Sequence, residues 1–176
     1  MPSFTKKAIM HSFLHLTAKK PLEKITVRDI VDQCGINRNT FYYHFQDIYA
    51  VFEEICKVCL SKAEKKSPAH VLLSRLFLSV SQQVAPYKKS AQRLIASLGR
   101  DGFERYTSPL LDNLIYTALA RDYTAAKEEL ATATLFLRHA FVGLFIDHLC
   151  QPKEHDAEAL AERIAKFSLG VCEALC

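Results

Sequence analysis

The apolar residues of this chain recur three and four positions apart almost from end to end, the spacing of helices with one buried face. Ile9, Phe13 and Leu16 make the first stripe, over residues 3–19, with Ser3 as a suitable cap and Lys19, Lys20 and Pro21 as a stop. Val27, Ile30 and Val31 make a shorter one that ends at Cys34-Gly35, and a third short run follows from Arg38 with Phe41 and Phe45 as its apolar positions. A fourth starts near Asp47 and runs through Val51, Ile55, Val58 and Leu60 to about Lys66. Ser67-Pro68, Pro86 and Ser108-Pro109 then divide three more runs, 68–85, 87–98 and 108–121, with a loop expected at 99–102 and a single turn at 103–106. Residues 125–150, up to Gln151-Pro152, are apolar on nearly every side, which predicts burial on more than one face. The last run, 156–175, has Leu160, Ile164, Phe167, Val171 and Leu175 on one stripe and Ala157, Ala161, Ala165 and Cys172 on another. No strand-like alternation of useful length occurs. The pattern predicts an all-α protein of about nine helices.

Local chemistry gives the stretch from Lys24 to Phe52 a more specific shape. The Thr26 hydroxyl can accept from the amide of Asp29, and Asp29 can reach back to the amide of Thr26, as in a capping box. Gly35 can take the left-handed conformation that ends a helix. Asn37 is then a good cap for a new helix from Arg38. Phe41 packs back on the preceding helix, which leaves Arg38, Asn39, Thr40, Tyr42, Tyr43 and His44 for the other faces. The stretch reads as helix, tight turn, helix. With the first helix it makes a three-helix head, residues 1–47, followed by a larger body, residues 48–176, to which the fourth helix is the lever.

Composition bounds the class. With 49% hydrophobic and 24% charged residues among 176, the chain is globular, and 5 Gly and 6 Pro leave few breakers. The net charge is +4 and unevenly placed: residues 1–66 hold 11 Lys and Arg against 7 Asp and Glu, whereas residues 67–176 hold 12 of each. A basic head on a neutral body suits a polyanion partner. The start lacks the apolar core of a signal peptide, the segment TLFLRHAFVGLFIDHLC is expected to be too short and polar for a membrane span, and the six Cys do not suggest a disulfide framework. A cytosolic protein with reduced thiols is the simplest expectation. The last two helices either fill the core of the body or join two copies in a four-helix interface.

The segment TVRDIVDQCGINRNTFYYHFQDIYAVF resembles the DNA-binding signature of the TetR family of bacterial transcriptional regulators. Thr26, Gly35, Ile36, Asn37, Thr40, Phe41, Tyr42, His44 and Phe45 fill the places of that signature, over about 50 residues. The resemblance implies a homodimer, joined through the last two helices, on a palindromic operator. Its recognition helix would enter the major groove, with Arg38 suited to guanine and Asn39 to adenine. Thr40 would meet a thymine methyl or a phosphate. Arg28 would reach a base or a phosphate, and Thr26, Tyr42 and His44 would reach phosphates. Tyr43 either reaches DNA or packs beneath the fourth helix. Two positions depart from the pattern. Asn37 stands where Ser or Thr is usual, and Ile48 stands where the family usually places a phosphate-binding Lys, so Lys6, Lys7 or another cation has to compensate or binding weakens.

By the same resemblance the body holds a pocket for a small-molecule effector, and the chain is a ligand-responsive repressor. Tyr87, Phe103, Tyr106, Tyr116, Phe136 and His139 are the candidate pocket residues, each more readily read as ordinary core. NRNTFYYHFQDIYAVFEEI also resembles a branch described as dihydroxyacetone-kinase-regulator-like, which admits an activator working with a partner protein. Cys56 and Cys59, the group His139, Asp147, His148 and Cys150, and the pair His11 and His15 keep open a metal- or thiol-sensing regulator of the same fold. No phosphate loop, nucleophile elbow or paired-acid arrangement points to an enzyme, and no cofactor is expected.

Overall fold

The computed structural model describes residues 4–61, 67–151 and 156–175. Among them are eight α-helices: α1 Phe4–Thr17, α2 Val27–Cys34, α3 Arg38–His44, α4 Ile48–Ser61, α5 Ala69–Val84, α6 Lys88–Asp122, α7 Lys127–Cys150 and α8 Ala157–Glu173. The all-α expectation holds, and the helix count differs at one place. The runs expected at 87–98 and 108–121 form one 35-residue helix, α6. The expected loop at 99–102 shrinks to Gly99, at φ 66° and ψ 175°. Only glycine enters that backbone region at low cost, so the chain breaks direction there and resumes the helix at once. The expected Ser3 cap, the end of the fourth helix towards Lys66 and the stop at Pro152 lie outside the described residues.

The chain forms two compact units. One comprises Met1–Val58 together with Pro86–Tyr106. Its core takes Ile9 and Phe13 from α1, Ile30 and Val31 from α2, Phe41 from α3, Val51 and Phe52 from α4, and Leu94 and Ile95 from α6, all buried. The first turns of α6 are pinned to α1 and to the segment after it. Ser90 Oγ donates to the Leu14 carbonyl at 2.7 Å, and the Leu22 amide donates to Ser97 Oγ at 3.2 Å. Tyr87 meets the His11 ring edge-on at 6.3 Å. Two turns past Gly99, Tyr106 stacks on Tyr49 at 6.1 Å, and Phe52 lies edge-on to Tyr106 at 5.5 Å and tilted against Phe103 at 6.1 Å. These rings hold α4 to α6, and burial, with Tyr49 adding to it, pushes the Tyr106 hydroxyl above its ordinary pKa.

The other unit comprises Cys59–Ala85 and Thr107–Cys176. Ser74 and Ser81 on α5, and Ala161, Ser168 and Cys172 on α8, are buried where small side chains let two helices run close together. α7 has the length and apolar composition of a membrane span, yet eight of its residues, among them Leu137, Phe141, Phe145 and Leu149, are buried in this unit. Phe77 of α5 takes Phe141, Phe145 and His148 edge-on at 5.2–6.4 Å. Pro68 precedes α5 and its side chain offers no hydrogen bond to the orphan amides. Asp122, the last residue of α6, does so instead: its Oδ2 accepts from the Ala69 amide at 2.8 Å. Arg121 bonds Asp122 at 2.6 Å and the Ser67 carbonyl at 2.6 Å, and chiefly this arginine, then the Ala69 amide, holds the Asp122 carboxyl below its ordinary pKa. Asp122→Ala should therefore lower stability by about 1 kcal/mol, as loss of a helix cap does. Asp122→Asn, which keeps an acceptor, should lose less, and urea unfolding of the three proteins measures the order.

Candidate nucleic-acid interface

The helix-turn-helix is assembled as its sequence directs. Thr26 Oγ1 accepts from the Asp29 amide at 3.2 Å and donates to Asp29 Oδ2 at 2.7 Å, while the Thr26 amide donates to the same carboxylate oxygen at 2.8 Å. Gly35, at φ 69° and ψ 31°, ends α2 in the left-handed region, and the amides of Gly35 and Ile36 both return to the Val31 carbonyl. Asn37 Oδ1 then accepts from the Thr40 amide at 2.8 Å and from the Thr40 hydroxyl at 3.0 Å. Asp47 caps α4 through the Ala50 amide at 2.8 Å.

Phe41 and Phe45 are buried, which fixes the rotation of α3 about its axis. Arg38 and Asn39 are consequently exposed, Thr40 and His44 are half-buried, and Tyr42 and Tyr43 stand 56% and 84% exposed. Tyr43, for which two placements were open, is not packed beneath α4: its ring touches that of its neighbour His44, edge-on at 4.9 Å. Thr26 and Arg28 are exposed on α2, and Arg28 lies 3.5 Å from Asp32 in a surface pair that water screens.

Two cations are not where a phosphate would find them. Lys6 was a candidate to replace the Lys missing at Ile48, but its ammonium binds Glu54 at 3.1 Å and sits 5.4 Å from the centre of the Phe45 ring. Lys20 binds Asp29 at 2.9 Å. Lys7 is exposed. The unit that contains the helix-turn-helix nevertheless carries 13 Lys and Arg against 8 Asp and Glu, and the other unit 10 against 11, so the basic excess falls wholly on the side of α3.

The family pattern described as bacterial regulatory proteins, tetR family, matches residues 9–55, and that of a transcriptional regulator C-terminal region matches residues 73–170. This chain belongs to the TetR family. No curated protein matches it in sequence. Among solved structures, it is similar to the dihydroxyacetone kinase operon activator DhaS, with TM-score 0.71 and 18% identity over 98% of both chains. It is also similar to the fatty acid degradation regulator FadR from Bacillus halodurans, with TM-score 0.67 and 16% identity over 97% of both chains. NalD from Pseudomonas aeruginosa, the secondary repressor of the MexAB-OprM multidrug efflux pump, gives TM-score 0.64 and 21% identity over 95% of this chain and 96% of its own.

The six residues proposed for a TetR-type effector pocket are divided between the units. Tyr87, Phe103 and Tyr106 belong to the unit of the head, in the contacts described above. Tyr116, Phe136 and His139 belong to the other. There Tyr116 is half-buried, while His139 is exposed and lies 3.2 Å from the Arg138 guanidinium. Phe136, 61% exposed, lines an open apolar groove between α7 and α8 with Phe167, 78% exposed, Gly170 and Val171. The stripe read as one face of α8 is thus split: Ile164 and Leu175 go inward and Phe167 outward. Among the described residues, no group of three or more His, Cys, Asp and Glu is placed to hold a metal, and His15 is engaged by Gln33. Burial, then Asp147, pushes the Cys150 thiol up, away from reactivity.

The sequence shows the α2 capping box but not the ion pair that reinforces it, since Lys20 and Asp29 lie on opposite sides of the connection between α1 and α2. The hydrogen bond from Thr26, then the contact with Lys20, holds the Asp29 carboxyl at about 2, below its ordinary 3.8. A carboxyl depressed by folding stabilises above its unfolded value and ceases to as pH falls through its folded one. Asp29→Ala should therefore be less stable than the parent at neutral pH. The gap between their unfolding midpoints should close as pH falls from about 4 towards about 2.

Proposed function

We propose that this protein is a sequence-specific DNA-binding transcriptional regulator that acts as a homodimer on a palindromic operator. The observation that carries the reading is the polarity of α3. Phe41 and Phe45 bury one side of the helix, and Arg38, Asn39, Tyr42 and Tyr43 remain exposed, on a unit with net positive charge. Arg38 contacts guanine and Asn39 adenine in the major groove. Thr26, Arg28, Tyr42, Tyr43 and His44 hold the phosphates on either side, and Asn37 caps the helix beside them.

Dimerisation through α7 and α8 is supported by Phe136 and Phe167, whose exposure on one groove is unusual for rings of that size. An isologous contact would cover both grooves at once. Response to a small effector in the body, with Tyr116 and His139 as candidate contacts, follows from family membership, and repression is the mode we assign. Activation with a partner protein is the second reading. The likeness to the operon activator DhaS favours it. A regulator of this kind works in the cytoplasm.

Arg38→Ala should weaken binding to a selected operator by about 1–3 kcal/mol at fixed salt, and Tyr42→Phe by less, with helical content unchanged. Equal affinity for all three proteins would dismiss the groove assignment. Separately, Phe136→Asp with Phe167→Asp should sediment as a folded monomer, because neither ring is needed inside the protomer. Sedimentation unchanged from the parent would place the dimer contact elsewhere.

A further inference from the structure

The chain leaves α3 through one extended, buried residue. Phe45 lies at φ −142° and ψ 136°, its amide donates to the Phe41 carbonyl at 2.9 Å, and its ring is tilted against that of Phe41 at 6.0 Å. Only Gln46 and Asp47 separate it from α4. The seating of the Phe45 ring therefore fixes the end of α3 opposite to its Asn37 cap.

Lys6 is fastened over that point. Its ammonium lies 5.4 Å from the centre of the Phe45 ring and donates to Glu54 Oε1 at 3.1 Å. The three groups come from α1, from the residue that follows α3 and from the second turn of α4. The side chains of Lys6 and Glu54 are only 29% and 24% exposed, so water and salt screen this pair less than the surface pair of Arg28 and Asp32, at 75% and 68%. An ammonium between an aromatic face and a carboxylate has two of its sides occupied within the protein.

We propose that Lys6 is a positioning residue for operator binding: with Glu54 it clamps the Phe45 end of α3 to α1 and α4, and it acts on DNA through the orientation of α3 instead of through a phosphate. This rests on the DNA-binding reading above and adds to it a residue that lies outside the helix-turn-helix. The two roles open to Lys6 give opposite signs at Glu54. Were Lys6 a phosphate contact, removing the Glu54 charge would release it and make the head more basic, and duplex binding would tighten. With Glu54 as one jaw of the clamp, the same change loosens α3, and operator binding weakens although the head has lost a negative charge.

The test uses the intact protein, a duplex that it selects from a randomised pool, and a scrambled duplex of the same composition. Lys6→Met keeps the stem of the side chain without its charge, and Glu54→Gln keeps the shape of the carboxylate without its charge. Each should bind the selected duplex about threefold less tightly, the worth of one such contact, and bind the scrambled duplex no less tightly than the parent does. Lys6→Met should keep the parent's salt dependence, and Lys6→Arg, which can retain both contacts, should bind as the parent does. Affinities are read at a temperature where circular dichroism shows every variant folded. A role in stability alone would lower the unfolding midpoints and leave the affinity of the folded protein unchanged, and that result overturns the proposal. So does a Glu54→Gln protein that binds more tightly, or a Lys6→Met protein that loses affinity for both duplexes alike with a salt slope smaller by about one. If the parent protein enriches no sequence from the pool, the DNA-binding reading itself falls.

Discussion

Helices of seven or eight residues do not persist in water on their own, because the first turn costs more conformational entropy than one hydrogen bond returns. α2 and α3 are that short, and everything the head does depends on their being held. Each is supplied with what it lacks at the ends and along one side. Thr26, Asp29 and Asn37 satisfy amides that have no partner within the helix, and Gly35 lets the chain turn between the two helices without strain. Ile30, Val31, Phe41 and Phe45 give the pair a buried side. The caps set where the helices begin, and the aromatic residues set which way α3 faces. Together they turn a polar septet into a surface with a defined orientation.

The same need recurs in the body with a different solution. α5 begins at a proline, whose ring cannot accept a hydrogen bond, and the missing group comes from the far end of α6. A local rule about caps therefore becomes a tertiary contact: Asp122 and Arg121 tie the start of one helix to the end of another. The carboxylate accepts from an arginine and from one backbone amide, which is why its proton is held weakly. Small side chains between α5 and α8 act in a comparable way, since they matter for the closeness they permit and not for any contact they make.

How much of this was legible in the sequence depended on the range of the interactions. Caps three residues apart, the turn at Gly35 and the inward Phe41 and Phe45 follow from spacing alone, because the partners lie within one turn of each other. The Lys20–Asp29 and Lys6–Glu54 pairs do not, since their partners meet only after α1 has packed. Lys6 illustrates the difference: an unpaired cation in the sequence became a paired one in the fold. Gly99 was read as part of a four-residue loop because glycine usually ends a helix, and nothing in the sequence said that the helix would resume at the very next residue. The outward turn of Phe167 was hidden for another reason. A helix apolar on two sides gives one broad stripe in the sequence, and only packing shows which part of it remains uncovered.

The head's compact unit is not a continuous piece of chain. Residues 86–106 close over α1 and α4, so a fragment ending at the recognition helix would leave bare the apolar surface that Leu94 and Ile95 cover and lose the hydrogen bond from Ser90 to the Leu14 carbonyl. Regulators of this design are thus poor subjects for exchanging heads by a single splice. Transplanting the specificity of α3 to another body calls for three crossovers, one on each side of α5 and one after Tyr106, or else for grafting only the exposed side chains of α3 onto a host that already has its own covering segment. Any lineage that acquired a new operator by recombination would face the same topological restriction, and point substitution on one face of a seven-residue helix is the less obstructed route.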